Sequence, residues 1–78
     1  MKIISERRSR TDGNALLSVI FEYGGRLFKV GDCPTKLYLW SGLQGWLFID
    51  YGDIKNTTQE SIDQFLDIMK AYTNENNR

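Results

Sequence analysis

Histidine is absent from the chain, and cysteine and proline occur once each, as Cys33 and Pro34. Without histidine, the Ser-His-Asp and Cys-His nucleophile systems and all histidine-based metal sites are excluded. An internal disulfide is excluded as well, and the carboxylate of Asp32 beside Cys33 opposes formation of a reactive thiolate. We therefore expect a structural or incidental thiol, no enzymatic activity, no metal and no cofactor.

Long hydrophobic runs are also lacking, since the longest is far shorter than the roughly 20 residues that a membrane helix needs. The N-terminal segment (MKIISERRSR) is basic, but no apolar stretch follows it, so it does not fit a secretory signal. A lone thiol without such a signal favours a cytoplasmic location. No membrane partner is expected.

Charge of one sign does not dominate, because ten basic and ten acidic residues cancel. They are spread unevenly, with seven basic and four acidic residues in 1–36 but three and six in 37–78. A dipolar chain of this kind can orient on a partner, although added salt weakens the field.

The composition of the chain is that of one small folded domain over residues 1–78. Its hydrophobic fraction of 41% and charged fraction of 26% are ordinary for a folded protein. Chains this short often gain stability from disulfides, metals or oligomerisation. Because the first two are excluded here, self-association into a homodimer is the compensation left open.

The clearest local feature is Gly24-Gly25, which separates the apolar segments LLSVIFEY and RLFKV. Two glycines in this position predict a two-residue hairpin turn, which needs positive φ. The turn sets a register with one strongly apolar face and one mixed face. The apolar face holds the pairs Tyr23–Arg26, Phe21–Phe28 and Val19–Val30, and the mixed face holds Glu22–Leu27 and Ile20–Lys29.

A second hairpin is predicted from residues 36–41 and 46–51, joined across a loop over 42–45. Pro34 excludes a central strand just before it. If Ser41 lies opposite Trp46, both faces of the hairpin are apolar, unlike a strand pair with one face in water. One face would carry Leu37, Leu39, Trp46 and Phe48, and the other Tyr38, Trp40, Leu47, Ile49 and Tyr51.

The two ends of the chain complete the prediction. Ile3-Ile4 and the turn signal Asp12-Gly13 make residues 1–14 either an edge strand or a mobile basic arm, while residues 15–53 form the hairpins. Thr57 with Glu60 fits a capping box that starts a helix over 57–73, and residues 74–78 are expected to fray. The apolar stripe of this helix is Ile62, Phe65, Leu66, Met69 and Tyr72.

These patterns predict an α+β fold, an antiparallel meander of four or five strands with one C-terminal helix packed on it. Eight of the ten aromatic residues lie between Phe21 and Tyr51, within the predicted sheet. A helix of about 15 residues covers roughly half of one face of a sheet about 24 Å wide. Either strong curling of the sheet or a bound partner must cover the remaining apolar surface.

Partner-binding residues are predicted among the sheet aromatics and the N-terminal arginines, since tyrosine, tryptophan and arginine are enriched in protein–protein hot spots. The predicted set is Arg7, Arg8, Arg10, Tyr38, Trp40 and Tyr51. We expect a small non-enzymatic protein that masks or bridges a surface of another protein, as an inhibitor or adaptor does. Stand-alone microbial or phage-encoded regulators often have this layout, which is an analogy of size.

Two alternatives belong to other classes of function. Single-stranded nucleic acid can stack on sheet aromatics and meet arginines, although the net charge is zero and the predicted second hairpin has only Lys36 as a basic residue. A small Mg²⁺- or Ca²⁺-dependent enzyme would need oxygen ligands, but the spacing of the acidic residues matches no calcium loop. The acidic residues considered are Asp50, Asp53, Glu60 and Asp63.

Overall fold

The structure of the chain, a computed structural model, describes residues 1–11, 13, 15–31, 35–53 and 58–73. Its elements are β1 (Lys2–Arg8), β2 (Leu16–Tyr23), β3 (Arg26–Gly31), β4 (Lys36–Trp40), β5 (Trp46–Tyr51), α1 (Thr58–Gln64) and α2 (Leu66–Thr73). Each strand pairs antiparallel with the next, so the sheet has the order β1-β2-β3-β4-β5. The predicted α+β meander is confirmed, and it has five strands.

The hairpin of β2 and β3 has the predicted register. Phe21 lies opposite Phe28, and Ile20 lies opposite Lys29. Gly24 and Gly25 form the turn with φ values of +59° and +82°, a region that glycine enters at little cost. The two glycines therefore determine the pairing of both strands.

The hairpin of β4 and β5 differs from its prediction by one residue. Trp40, and not Ser41, lies opposite Trp46. Ser41 belongs to the loop, where its N–H donates to the Gly45 carbonyl at 2.9 Å. Because side chains alternate along a strand, this slip moves Trp46 and Phe48 to the other face of the sheet.

A bulge in β5 then corrects the register further along the hairpin. Tyr38 pairs with Phe48 but Leu37 pairs with Asp50, which leaves Ile49 as the extra residue. Leu47 lies opposite Leu39 on the core face. The prediction that Trp46 and Phe48 share a face with Leu37 and Leu39 is therefore wrong.

The hydrophobic core lies between one face of the sheet and the helical segment. Alternate residues of β2, β3 and β4 supply its sheet side, and one stripe of the helical segment supplies the other. Its members, each at most 4% exposed, are Val19, Phe21, Phe28, Val30, Leu37, Leu39, Ile62, Phe65 and Met69. Since α1 contacts β2 and β3, the core is centred away from β1.

The helical segment is divided into two pieces at Phe65, where one continuous helix was predicted. The Phe65 N–H is shared between the carbonyls of Ser61 at 2.9 Å and Ile62 at 3.2 Å, which tightens this turn. The Met69 N–H then donates to the Phe65 carbonyl at 2.9 Å, so the helical path resumes. Tyr72, the last residue of the predicted stripe, is 43% exposed because the stripe leaves the core there.

β1 is an edge strand that lies outside the area covered by the helices. It pairs with β2 through two register shifts, between Ile3 and Ser5 and between Arg7 and Arg8. All its residues are exposed. Bulges and charged side chains of this kind protect an edge strand against pairing with other chains.

Four sequence predictions fall outside the described residues. They concern Asp12 of the turn after β1, the loop around Cys33 and Pro34, the capping residue Thr57 and the tail over 74–78.

The end of α2 is attached to the turn between β2 and β3 by two contacts. The Nη1 group of Arg26 donates to the Tyr72 carbonyl at 3.1 Å, and a cation is favourable at a helix C-terminus. Thr73 packs against Gly24 so closely that a Cβ at Gly24 would lie 2.6 Å from the Thr73 Cβ. Gly24 is therefore required both by the turn and by the docking of the helix.

Gly24→Ala is expected to lower the free energy of unfolding more than Gly25→Ala. Both substitutions place a side chain at positive φ, which costs about 1–2 kcal/mol. A Cβ at Gly25 meets nothing within 4 Å, whereas at Gly24 it collides with Thr73, which adds about 1–3 kcal/mol. Urea denaturation of the two variants measures the difference, and equal losses would contradict the contact with Thr73.

Ser61→Ala is expected to stabilise the protein. Ser61 is fully buried, and its Oγ has no hydrogen-bond partner among the described residues, so the hydroxyl is desolvated without compensation at a cost of about 1–3 kcal/mol. Higher helix propensity of alanine accounts for at most about 0.5 kcal/mol. A gain above that amount in thermal or urea denaturation supports a desolvated hydroxyl, and a loss of stability contradicts it.

Candidate interaction surface

The face of the sheet opposite the helices, here called the open face, carries five aromatic side chains on β4 and β5. Tyr38 and Trp40 alternate with the core residue Leu39, so they project to the opposite side of the sheet. Their partners Phe48 and Trp46 project to the same side, and Tyr51 follows opposite Lys36. The aromatic cluster is Tyr38, Trp40, Trp46, Phe48 and Tyr51.

Rings of the aromatic cluster contact each other at steep angles, in one pair and one group of three. Trp40 and Trp46 have centroids 5.3 Å apart at 64°, and Tyr38 and Phe48 have centroids 6.2 Å apart at 72°. Phe48 and Tyr51 extend the series at 4.8 Å and 59°. Such pairs contribute about 0.5–1.5 kcal/mol beyond burial, so the cluster is a preorganised surface.

Lys29 of β3 lies over the aromatic cluster. Its Nζ is 5.0 Å from the ring centroid of Tyr38 and 5.7 Å from that of Trp46. Both distances are within the roughly 6 Å range of a cation–π interaction. The ammonium group is therefore held above two rings of the open face.

Lys36 and Arg7 are further cations of the open face. Lys36 lies next to Leu37, which faces the core, and pairs with Tyr51 of the aromatic cluster. Arg7 pairs with Ser18, and its Nε donates to the Ser18 Oγ at 3.4 Å. Pairing continues along one row from Arg7 through Ser18, Gly31 and Lys36 to Tyr51. Arg7 thus lies about 19 Å from Tyr51, four strand spacings away.

The helical side of the molecule has the opposite charge balance. Its exposed acidic side chains include Asp50 opposite Leu37, and Glu60, Asp63 and Asp67 on the helices. The basic side chains described on this side are fewer: Lys70 and Arg26 lie at the end of α2, and Arg8 on β1 is paired with Glu6. The uneven charge along the sequence becomes, in the fold, a difference between the two faces.

The exposed area of the aromatic cluster has the size of the largest apolar patch on a typical monomer. Trp40, Phe48 and Tyr51 are 41%, 48% and 57% exposed, and Tyr38 and Trp46 are partly buried. Since full burial of an aromatic side chain removes about 150–250 Å² from water, the exposed parts total roughly 300–400 Å². Apolar patches of roughly 300–600 Å² are often functional sites.

The structure brings together part of the predicted partner-binding set. Tyr38, Trp40 and Tyr51 lie in the aromatic cluster, and Arg7 lies on the same face at its far edge. Arg8 belongs to the opposite side of β1, where its Nε lies 3.2 Å from the Glu6 carboxylate. Arg10 lies in the bend after β1 and is exposed.

Sequence reasoning missed Trp46, Phe48 and Lys29 as parts of this surface. Trp46–Ile49 is a run of four apolar residues (WLFI) without alternation, so the pattern does not select a register. The residue that lengthens the loop is Ser41, whose N–H donates to the Gly45 carbonyl and whose Oγ accepts from the Gln44 N–H. Serine is a common turn residue, and this was the usable signal.

Sites of other kinds do not emerge from the part of the chain that the structure describes. Within it, no group of three or more Cys, Asp or Glu side chains is placed to hold a metal ion. Nor does any described helix have the length and apolarity to cross a membrane. No family model, curated protein or solved structure matches the chain significantly.

Lys29→Gln is expected to destabilise the protein by about 0.5–1 kcal/mol, because the variant loses the cation–π interaction with Tyr38 and Trp46. Lys36→Gln is the matched control on the same face, and it should change the free energy of unfolding less. Urea denaturation followed by tryptophan fluorescence measures both. Equal effects of the two substitutions would show that the ammonium of Lys29 contributes nothing specific.

Proposed function

We propose that this protein binds another protein through the aromatic cluster and acts by masking or bridging that partner's surface, without catalysis of its own. The observation that carries the proposal is a cluster of five rings on the face opposite the core, in contact within one pair and one group of three. The core is complete on the other side of the sheet, so the exposed parts of these rings have no role in closing it.

The size of the aromatic cluster supports an interface with a partner. Burial of roughly 300–400 Å² at about 25 cal/mol per Å² corresponds to on the order of 8–10 kcal/mol before the costs of association. A standard interface buries about 800 Å² on each partner, with an apolar centre and a polar rim. The cluster is large enough for the centre, and Lys29, Lys36 and Arg7 are placed to contribute to the rim.

The arrangement of the rings favours a protein partner over nucleic acid. Base stacking needs aromatic faces that are open and separated along the strand path. Here the ring planes meet at 59–72°, and the Lys29 ammonium lies over the faces of Tyr38 and Trp46. Rings tilted against one another instead suit the aliphatic and aromatic anchors of a protein interface.

Selection from a displayed random peptide library tests this function. Wild-type protein is the target, and binders to a Trp40→Ala/Phe48→Ala variant are removed by counter-selection. We expect peptides that bind the wild type and a Tyr72→Ala control with equal affinity but lose at least about tenfold in affinity for the double variant. Tyr72 is the control because it is a comparably exposed ring on α2.

The comparison is meaningful only if the double variant is folded. The double variant should keep its far-UV circular dichroism and unfold cooperatively, since Trp40 and Phe48 are 41% and 48% exposed. Absence of any peptide that distinguishes the wild type from a folded double variant would refute the proposed function. Peptides that bind both equally would place the binding surface elsewhere.

A second candidate is binding of single-stranded nucleic acid on the same face. The observation in its favour is that Lys29 and Lys36 lie among the aromatics, with the acidic helices on the other side of the sheet. It predicts a change in tryptophan fluorescence on titration with oligo(dT), with affinity falling steeply as salt is added. No change at low salt removes this candidate.

A further inference from the structure

We propose that the partner is an acidic protein surface, one that offers apolar side chains to the aromatic cluster and carboxylates to Lys29, Lys36 and Arg7. This inference rests on the proposed function and narrows it to a class of partner. It excludes a second copy of the chain as the main occupant of the open face.

Charge complementarity is the first argument. The cations of the open face are distributed across it, from Arg7 on β1 through Lys29 on β3 to Lys36 on β4. Among the described residues on this face, the acidic side chain is Glu22, whose strand neighbour is Lys2. A partner with carboxylates around an apolar centre therefore meets attraction, whereas a basic partner meets repulsion.

The position of the two lysines relative to the rings is the second argument. Lys29 lies over Tyr38 and Trp46, and Lys36 pairs with Tyr51, so both cations border the rings that a partner would cover. Burial of these ammonium groups under an apolar surface without carboxylates would carry a desolvation cost. A carboxylate beside each ammonium offsets that cost and sets the orientation of the partner.

Self-association through the open face conflicts with the same charges. A two-fold dimer places each patch against its own copy, which brings the Lys29 and Lys36 groups of both copies into one interface. A head-to-tail contact with the acidic helical side would satisfy the charges but would not close, and it would form open chains. Among the described residues, the helical side exposes Tyr72 on α2 and Ile3 opposite the core residue Phe21, a smaller apolar area than the five rings of the aromatic cluster.

The test begins with absolute mass by light scattering across a dilution series of the full chain. We expect the monomer mass of 9.1 kDa at every concentration. A dimer or longer assembly that Trp40→Ala/Phe48→Ala disrupts would overturn the inference in favour of a second copy. An assembly that survives those substitutions forms elsewhere on the protein and agrees with an open face that no second copy occupies.

The decisive measurement is the charge of the peptides selected against the aromatic cluster. We expect sequences enriched in Asp and Glu next to Leu, Ile or Phe. Affinity, read from the fluorescence of Trp40 and Trp46, should fall about tenfold or more for Lys29→Glu/Lys36→Glu and also fall as salt is added. Lys70→Glu on α2 is the matched control and should leave affinity unchanged.

Each contrary outcome has a separate meaning. Cluster-dependent peptides that are neutral or basic, or that bind the charge-reversed variant equally well, overturn the acidic partner while the proposed function stands. Binding of oligo(dT) but of no cluster-dependent peptide overturns both. If the double charge reversal impairs folding, Lys36→Glu alone replaces it in the affinity measurement. Lys36 is suitable because the ring contacts with Tyr38 and Trp46 belong to Lys29.

Discussion

The pairing of β4 with β5 decides which side chains this protein presents to its surroundings. Trp40 lies opposite Trp46, and a single bulged residue, Ile49, separates that register from the one at Leu37 and Asp50. A shift by one residue would exchange every side chain of β5 between the core face and the open face. Trp46 and Phe48, and with them the ring contacts of the aromatic cluster, depend on this local pairing.

The helical segment covers the sheet on one side only. The helical segment covers β2 and β3 and closes the core there, and Arg26 and Gly24 attach the end of α2 to the turn between those strands. Since both pieces of the segment lie on one side, the protein separates its functions by face. One face supplies stability, and the other is left with rings, lysines and an arginine.

Several elements could be predicted from the sequence because a local feature of the chain determines each of them. Gly24-Gly25 sets the register of β2 and β3, and the spacing of Ile62, Phe65 and Met69 identifies the buried stripe of the helices. The interruption at Phe65 was not predictable, because it depends on how a single turn tightens against the sheet. Likewise, Lys29 was assignable to a mixed face, but its position over Tyr38 and Trp46 requires β3 beside β4.

The sequence by itself determined the fold class, the first hairpin, the helical stripe and the excess of aromatics over what one helical segment can cover. These follow from periodicity, turn chemistry and composition, which act over a few residues. Only the tertiary structure decided that five rings share one face with Lys29, Lys36 and Arg7 while the acidic helices lie on the other. The physical reason is that a run of apolar residues such as those of β5 fits either register, and the choice depends on loop geometry and on contacts between strands distant in sequence.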